Sequence, residues 1–375
     1  MRSASKPRLV SLDVFRGLTI LLMIVVNSPG AGAEPWAPLL HAEWHGLTLT
    51  DLVFPSFLFA VGNAIPFATS KWHDLTLQKR VLKIFTRAAL IFLVGYLLNW
   101  YTSMHWNEAG QLQFKALSQL RVMGVLQRIG LCYLFAAMLA EFLSSRHLVW
   151  LSILMLLGYW ALLFFLGDPV HPYAPEDNAI IRLDRIIFPE QMLYRERGIV
   201  FDPEGILSTI PSIVNVLAGT LLGRWILEGR PVTETITRIM VYGSLLLLAG
   251  TCWSWIFPIN KKLWTSSFVL CTVGIDLLVM GLLLYVHKVK NRQTGVYFFS
   301  VFGRNPLFIY VLSNLILFFF ILPVGKIDLH TWVNQVFFQR WFAGPMGSLL
   351  FATSIGLLCW FFGWLLDRKK IYIRL

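Results

Sequence analysis

Apolar residues in this chain fall in long runs separated by short polar gaps, and the runs have the length that a bilayer demands. A helix rising about 1.5 Å per residue needs about twenty mostly apolar residues to cross the hydrocarbon core. Runs of that kind occupy residues 9–27, 47–69, 80–100, 119–142, 148–166, 207–226, 236–257, 265–287, 297–322 and 347–366. In lipid each backbone polar group must be satisfied within its own segment, so every run is predicted as a helix. The expected fold is an all-α polytopic membrane bundle of about ten transmembrane helices. An even number of spans puts both termini on one side.

Two gaps are long enough to have structure of their own. Residues 167–206, dense in Pro, Asp and Arg, read as an external cap or a plain connector. Residues 328–343, DLHTWVNQVFFQRWFA, read as an amphipathic helix on the outer surface, with Trp332, Phe337 and Trp341 as interfacial anchors. The chain shows no internal repeat or soluble second domain, so residues 1–375 are taken as one membrane domain.

Composition agrees: 57% of the residues are hydrophobic and only 14% charged, which excludes an ordinary soluble globule. A net charge of +12 suggests a nucleic-acid partner until the positions are considered. The bases sit in short gaps and no basic stripe alternates with aromatics, so nucleic acid is set aside. Arg2, Lys6, Arg8, Lys71, Lys79, Arg80, Arg146, Arg224, Arg230, Lys288, Lys290, Arg292, Arg368, Lys369, Lys370 and Arg374 fall on one side. Acids dominate the other, among them Glu34, Glu43, Glu108, Asp168, Glu176 and Asp328. The positive-inside rule then makes the termini cytoplasmic and the His41 face external, which in a bacterial inner membrane is periplasmic. Cys132, Cys252, Cys271 and Cys359 all lie inside apolar runs and read as core packers. Asp13 and Arg16 interrupt the first run, which favours a retained span over a cleaved signal peptide.

Candidate chemistry gathers between the first two runs, in NSPGAGAEPWAPLLHAEWHGLTLTDLVFP, residues 27–55. This stretch brings His41, His45, Glu34, Glu43 and Asp51 to the edge of a membrane. Three readings of His41 stand on the residues alone. One is half of a metal site with His45, but HAEWH is not the zincin order and no third ligand is near, so no metal is expected. The second is a structural histidine. The third is a general base or nucleophile oriented by Asp51 or Glu43.

Charged groups within the runs are functional candidates by default, because each costs about 2.5–3.5 kcal/mol to insert. Arg128 beside Gln127 is the clearest case; Asp13, Arg16, Arg87, Asp276, Arg304 and Asn305 are others. Mutual pairing is the favoured reading for Asp13. A basic lining for an anionic ligand is favoured for Arg16, Arg128 and Arg304. Asn27 is either a helix terminator or an amide donor facing a reacting carbonyl.

The segment RLVSLDVFRGLTILLMIVVN, followed by HAEWHGLTLTDLVFPSFLFAVG, resembles the membrane core of the heparan-α-glucosaminide N-acetyltransferase family, including its bacterial NagX-type relatives. The likeness continues through VMGVLQRIGLCYL, FDPEGILSTIPSIVNVLAGTLLG, FPINKKLWTSSFVLCTVGIDLLV and FGRNPLFIYVLSN, in order and over nearly the whole chain. The resemblance implies a transferase that takes acetyl from cytosolic acetyl-CoA and delivers it across the membrane to the amine of a terminal glucosamine. It implies His41 as the group that takes the amine proton or is transiently acetylated, and Asn27 as the group that holds the thioester carbonyl. Arg16 and Arg304 are then candidates for the CoA phosphates, with Asn305 beside them. Arg128 either faces the pantetheine arm or braces the site from Asp51. Asp202, Glu204, Lys261 and Lys262 are candidates for the sugar. A homodimer is implied by the resemblance alone. Two features depart from the animal enzymes: a longer stretch between Asn27 and His41, and His45 where those enzymes carry asparagine.

The leading expectation is therefore a membrane acetyltransferase. The runner-up is an inner-membrane carrier of N-acetylglucosamine or a related amino sugar, for which neither inverted repeats nor paired broken helices are found. A third is an acyltransferase with another donor or acceptor. Binding of CoA separates the transferases from the carrier.

Overall fold

A computed structural model of the chain describes residues 9–72, 74–106, 111–196, 199–324 and 327–373. Arg2, Lys6, Arg8, Glu108 and Arg374, which enter the charge argument above, lie outside these residues. The long helices are α1 (Val10–Asn27), α2 (Leu49–Thr69), α3 (Leu77–Thr102), α4 (Val125–Phe142) and α5 (Ser145–Leu166). A short α6 (Ala179–Ile187) precedes α7 (Ile206–Leu227), α8 (Val232–Trp253) and α9 (Ser266–Leu284), whose last turn continues as π-helix to Val289. The chain closes with α10 (Val296–Arg304), α11 (Pro306–Phe319), α12 (Leu329–Val333) and α13 (Pro345–Arg368). Strand is confined to three two-residue antiparallel hairpins among the described residues. The protein is an all-α polytopic membrane protein.

Among the described residues nine helices are long and apolar enough to cross a membrane, and the pair α10–α11 passes the same test together. That pair is not the straight span expected over 297–322: it bends by 84° between Arg304 and Pro306. Pro306 has no N–H to give and its ring excludes the preceding turn, so the helix must restart there. Asn305 does not continue either helix. Its side chain instead donates to Ile371 O at 3.1 Å and accepts from Ile373 N at 2.8 Å, binding the C-terminal tail.

Lipid-facing helices can be apolar all round, so helix pairing in a membrane rests on close backbone approach rather than on a hydrophobic stripe. α2 and α7 show how this works. A Cβ on Gly62 would collide with the Val216 carbonyl, and one on Gly219 with the Phe59 carbonyl. The bundle core surrounds this contact and includes Phe15, Leu58, Phe59, Val216, Leu217, Phe268 and Phe302. A second, smaller core joins Tyr159 and Leu163 of α5 to Ile180 and Ile181 of α6, and to Phe201, Phe257 and Leu263. It packs part of the 167–206 insert against the bundle.

Residues 328–343, read from the sequence as an amphipathic surface helix, contain α12, which runs on as π-helix over Asn334–Gln339. Trp341 and Phe337 project from this region, 74% and 57% exposed. Asn334 and His330 hold the start of the α1–α2 connector, through Ala31 O and Pro29 O respectively.

Candidate active site

The connector between α1 and α2 turns through a short 3-10 piece, Ala37–Leu39, and then runs irregularly to Thr48. His41 and His45 therefore do not share a helical face. His45 Nδ1 lies 3.3 Å from Asn260 Nδ2, and burial pulls its imidazole below the ordinary histidine range. Among the described residues no group of three or more His, Cys, Asp or Glu side chains is placed to hold a metal ion.

Asp51 organises what lies around it. It occupies the third position of α2, where a carboxylate meets the unpaired N–H groups of a helix start. Its Oδ2 accepts from Thr48 N at 3.1 Å, from Thr48 Oγ1 at 3.0 Å and from Ala42 N at 3.1 Å. Its Oδ1 is left for His41, whose Nδ1 is 2.7 Å away. One oxygen thus caps the helix and fixes the loop, and the other orients the imidazole. A carboxylate accepts only, so in the neutral imidazole Nδ1 carries the ring proton and Nε2 is left with the lone pair. Asp51 is 1% exposed and His41 48% exposed, so the pair has a buried anchor and an open working end.

Lys261, from the loop between α8 and α9, completes the group. Its Nζ is 3.1 Å from His41 Nδ1, 3.4 Å from Nε2 and 3.7 Å from Asp51 Oδ1. Burial pulls this ammonium below its ordinary value, against the attraction of Asp51 and Glu204. Loss of solvation favours the neutral amine and the two carboxylates favour the cation, with solvation ahead.

These residues line one cavity of about 250 Å³ with Ala42, Trp44, Arg121, Val125, Tyr194, Pro203, Glu204, Lys262 and Trp264. Arg121 has no counterpart in the sequence reading, yet it holds the wall together. Its Nε donates to Asp202 Oδ2 at 2.9 Å and its Nη2 to Asp202 Oδ1 at 2.5 Å, while Nη2 also reaches Glu204 Oε2. Burial would raise Glu204, but Arg121 and Arg128 outweigh it and hold the carboxyl below its ordinary value. Burial would lower Arg121, and its two carboxylates reverse that and hold it firmly charged.

The expected site residues sort by place. His41, Asp51, Lys261, Lys262 and Glu204 meet at the cavity. Lys262 lies over the Trp44 ring, 5.9 Å from its centroid. Asp202, expected to meet a sugar, is instead 1% exposed and engaged by Arg121. Asn27 ends α1 as an exposed residue and does not line the cavity.

Arg128 is fully buried at the same end of the bundle as His41, against the Trp264 ring of the cavity wall. It donates to Gly205 O at 3.0 Å and to Ser208 Oγ, and stacks over Trp264 at 5.0 Å. Those contacts fasten α4 to the start of α7 and to the Trp264 ring.

Arg16 and Arg304 lie at the opposite end, each beside a carboxylate: Arg16 Nη1 is 3.5 Å from Asp13 Oδ1, and Arg304 Nη1 is 2.6 Å from both Asp367 oxygens. Asn305, expected beside a CoA phosphate, has both ends of its amide committed to the tail.

Fold and cavity together define a multi-pass membrane protein with a histidine–carboxylate pair at one end of its bundle. A family model described as a domain of unknown function (DUF5009) matches residues 8–194. Heparan-alpha-glucosaminide N-acetyltransferase from Homo sapiens is 30% identical over 362 residues, covering 82% of this chain and 53% of the human protein. The Mus musculus protein of the same name is 30% identical over 363 residues, 83% of this chain and 54% of its own length. The chain belongs to the heparan-alpha-glucosaminide N-acetyltransferase family, as its motifs led one to expect. It spans about half the length of the curated relatives it matches.

Proposed function

We propose that this chain is a transmembrane acetyltransferase that moves acetyl from cytosolic acetyl-CoA to the amine of a glucosamine-type sugar on the far side of the membrane. The observation that carries the reading is the 2.7 Å contact between His41 Nδ1 and Asp51 Oδ1 in a cavity that Lys261 and Glu204 also line. His41 Nε2 takes the amine proton as the nitrogen bonds to the acetyl carbonyl carbon. It returns that proton to the CoA sulfur as the C–S bond breaks, so the products are an amide and a free thiol. Asp51 holds the ring in the required tautomer and stabilises the imidazolium that forms between the two transfers. Lys261 Nζ donates a hydrogen bond where the carbonyl oxygen becomes negative, a role first expected of Asn27. Glu204 and Lys262 flank the space left for the sugar.

On this reading the donor enters at the end where Arg16 and Arg304 sit, and its phosphates compete with Asp13 and Asp367 for those guanidinium groups. The membrane is that of a bacterium, with the His41 end external, and the working unit is a dimer.

The test is equilibrium binding of acetyl-CoA to the detergent-purified protein, followed by a screen of glucosamine-type amines for release of free CoA. Saturable binding with amine-dependent release is expected. No binding, together with uptake of labelled N-acetylglucosamine into proteoliposomes, would replace the transferase by the carrier.

A further inference from the structure

The carboxyl of Asp184, on helix α6, takes no part in the chemistry above, and its surroundings are unusual. The residue is 0% exposed, and neither oxygen has a partner of good hydrogen-bond geometry among the described residues. The Ile206 amide at the start of α7 lies near enough to favour its charged form, and Phe188 N donates to its backbone oxygen at 2.8 Å. Asp202 faces it from the turn before α7, Arg128 from α4 and Tyr159 from α5. On its own helix, Arg182 pairs with Asp177 and Arg185 lies 3.7 Å from Glu190, both in the solvent-exposed layer.

What the carboxyl presses on is the Asp202–Gly205 turn. A Cβ on Gly205 would run into the Asp184 oxygens, so the carboxyl lies directly against this glycine. Gly205 N donates to Asp202 O at 2.9 Å, and Gly205 O accepts from Arg128 Nη2 at 3.0 Å and from Thr209 Oγ1 at 2.9 Å. The turn presents Glu204 to the cavity and gives Arg121 both of its carboxylates. Asp184 is thus the floor beneath one wall of the candidate site. A buried carboxylate without good partners strongly favours its neutral form, and more so beside a second carboxylate.

We propose that Asp184 is a positioning residue that seats the Asp202–Gly205 turn, and through it Glu204 and Arg121, while it is protonated, and unseats them when it ionises. Burial, helped by Asp202 and opposed by Arg128, pushes this carboxyl up to about 7. The seat is then full in mild acid and lost as pH rises through neutrality. Its contribution to stability follows the same sense: complete below the ordinary carboxylate range and gone above about 7. The consequence for catalysis rests on reading the cavity as the acceptor site; the consequence for stability does not.

The experiment compares wild type with Asp184→Asn, which keeps the shape and removes the titration, and with Asp184→Ser as a second neutral variant. Thermal unfolding of the purified protein without ligand is followed from acid to alkaline pH, with acceptor kcat/KM measured alongside. Relative to the Asn variant, wild type should lose unfolding temperature progressively as pH rises from about 4 to about 7 and hold a constant gap above that, because the linkage runs between the ordinary and the raised carboxyl value. The wild-type to variant ratio of kcat/KM should fall about tenfold between about pH 6 and about pH 8, a ratio that cancels titration of the acceptor amine itself. A gap in unfolding temperature that is the same at every pH for each neutral variant that folds would overturn the proposal. A pH-dependent gap with no transfer activity in either protein would uphold Asp184 as the seat and count against the acetyltransferase reading alone.

Discussion

His41 Nδ1 and Asp51 Oδ1, 2.7 Å apart, join an irregular connector to the first turn of a membrane helix. Because Asp51 also caps that helix through Thr48 and Ala42, the imidazole is positioned by a group that cannot move without unfastening α2.

Asp51→Asn should therefore show two effects of different size. Losing a charged cap costs about 1 kcal/mol of stability. Losing the acceptor for Nδ1–H leaves the wrong tautomer populated and should lower kcat by about a hundredfold to ten-thousandfold. Thermal unfolding and turnover measured on the same preparation separate the two; kcat within twofold of wild type would contradict the assigned role.

Arg121 balances two buried carboxylates, Asp202 and Glu204. Arg121→Ala should cost about 3–5 kcal/mol, toward the lower end because the guanidinium is partly open to solvent. Because Glu204 is held below its ordinary value, its contribution is present at neutral pH and lost as pH falls through that lowered value. Glu204→Gln should remove that acid-side slope from the stability profile, and an unchanged slope would show that Glu204 is not its source.

At the opposite end, phosphate binding by Arg304 would have to displace Asp367. Arg304→Ala should weaken CoA binding, whereas Asp367→Asn should strengthen it by freeing the guanidinium. Titration with CoA and with dephospho-CoA checks this. Weaker binding in both variants would assign Arg304 to the tail latch with Asn305.

Gly62→Ala should damage the α2–α7 contact, because the added methyl meets the Val216 carbonyl. The expected loss is about 1–3 kcal/mol, read as early aggregation in size-exclusion chromatography of the heated protein.

Much of the fold was legible in the sequence because bilayer thickness and backbone satisfaction leave few solutions for an apolar run. The bend at Pro306 was not, since a proline inside a greasy run is compatible with a kinked span as well as a broken one. His41, Asp51, Lys261 and Glu204 were legible as candidates from residue type and family motif. Their meeting was not, because Lys261 lies 220 residues from His41. Arg121 was missed although it falls inside the run predicted over 119–142, which the structure begins only at Val125. The surplus of acids in FDPEG was the available signal that a base should face them. Asp202 was misread for the same reason: its partner was unknown, so it was left to a ligand.

The measurement that bears most directly on the central claim is acceptor-dependent release of CoA by wild type and by His41→Ala, with acetyl-CoA binding measured on both. The account predicts that the variant binds acetyl-CoA with near wild-type affinity and releases no CoA above background when the amine is added. Release by His41→Ala at the wild-type rate would contradict it, and the search for the proton acceptor would have to move to another wall of the cavity.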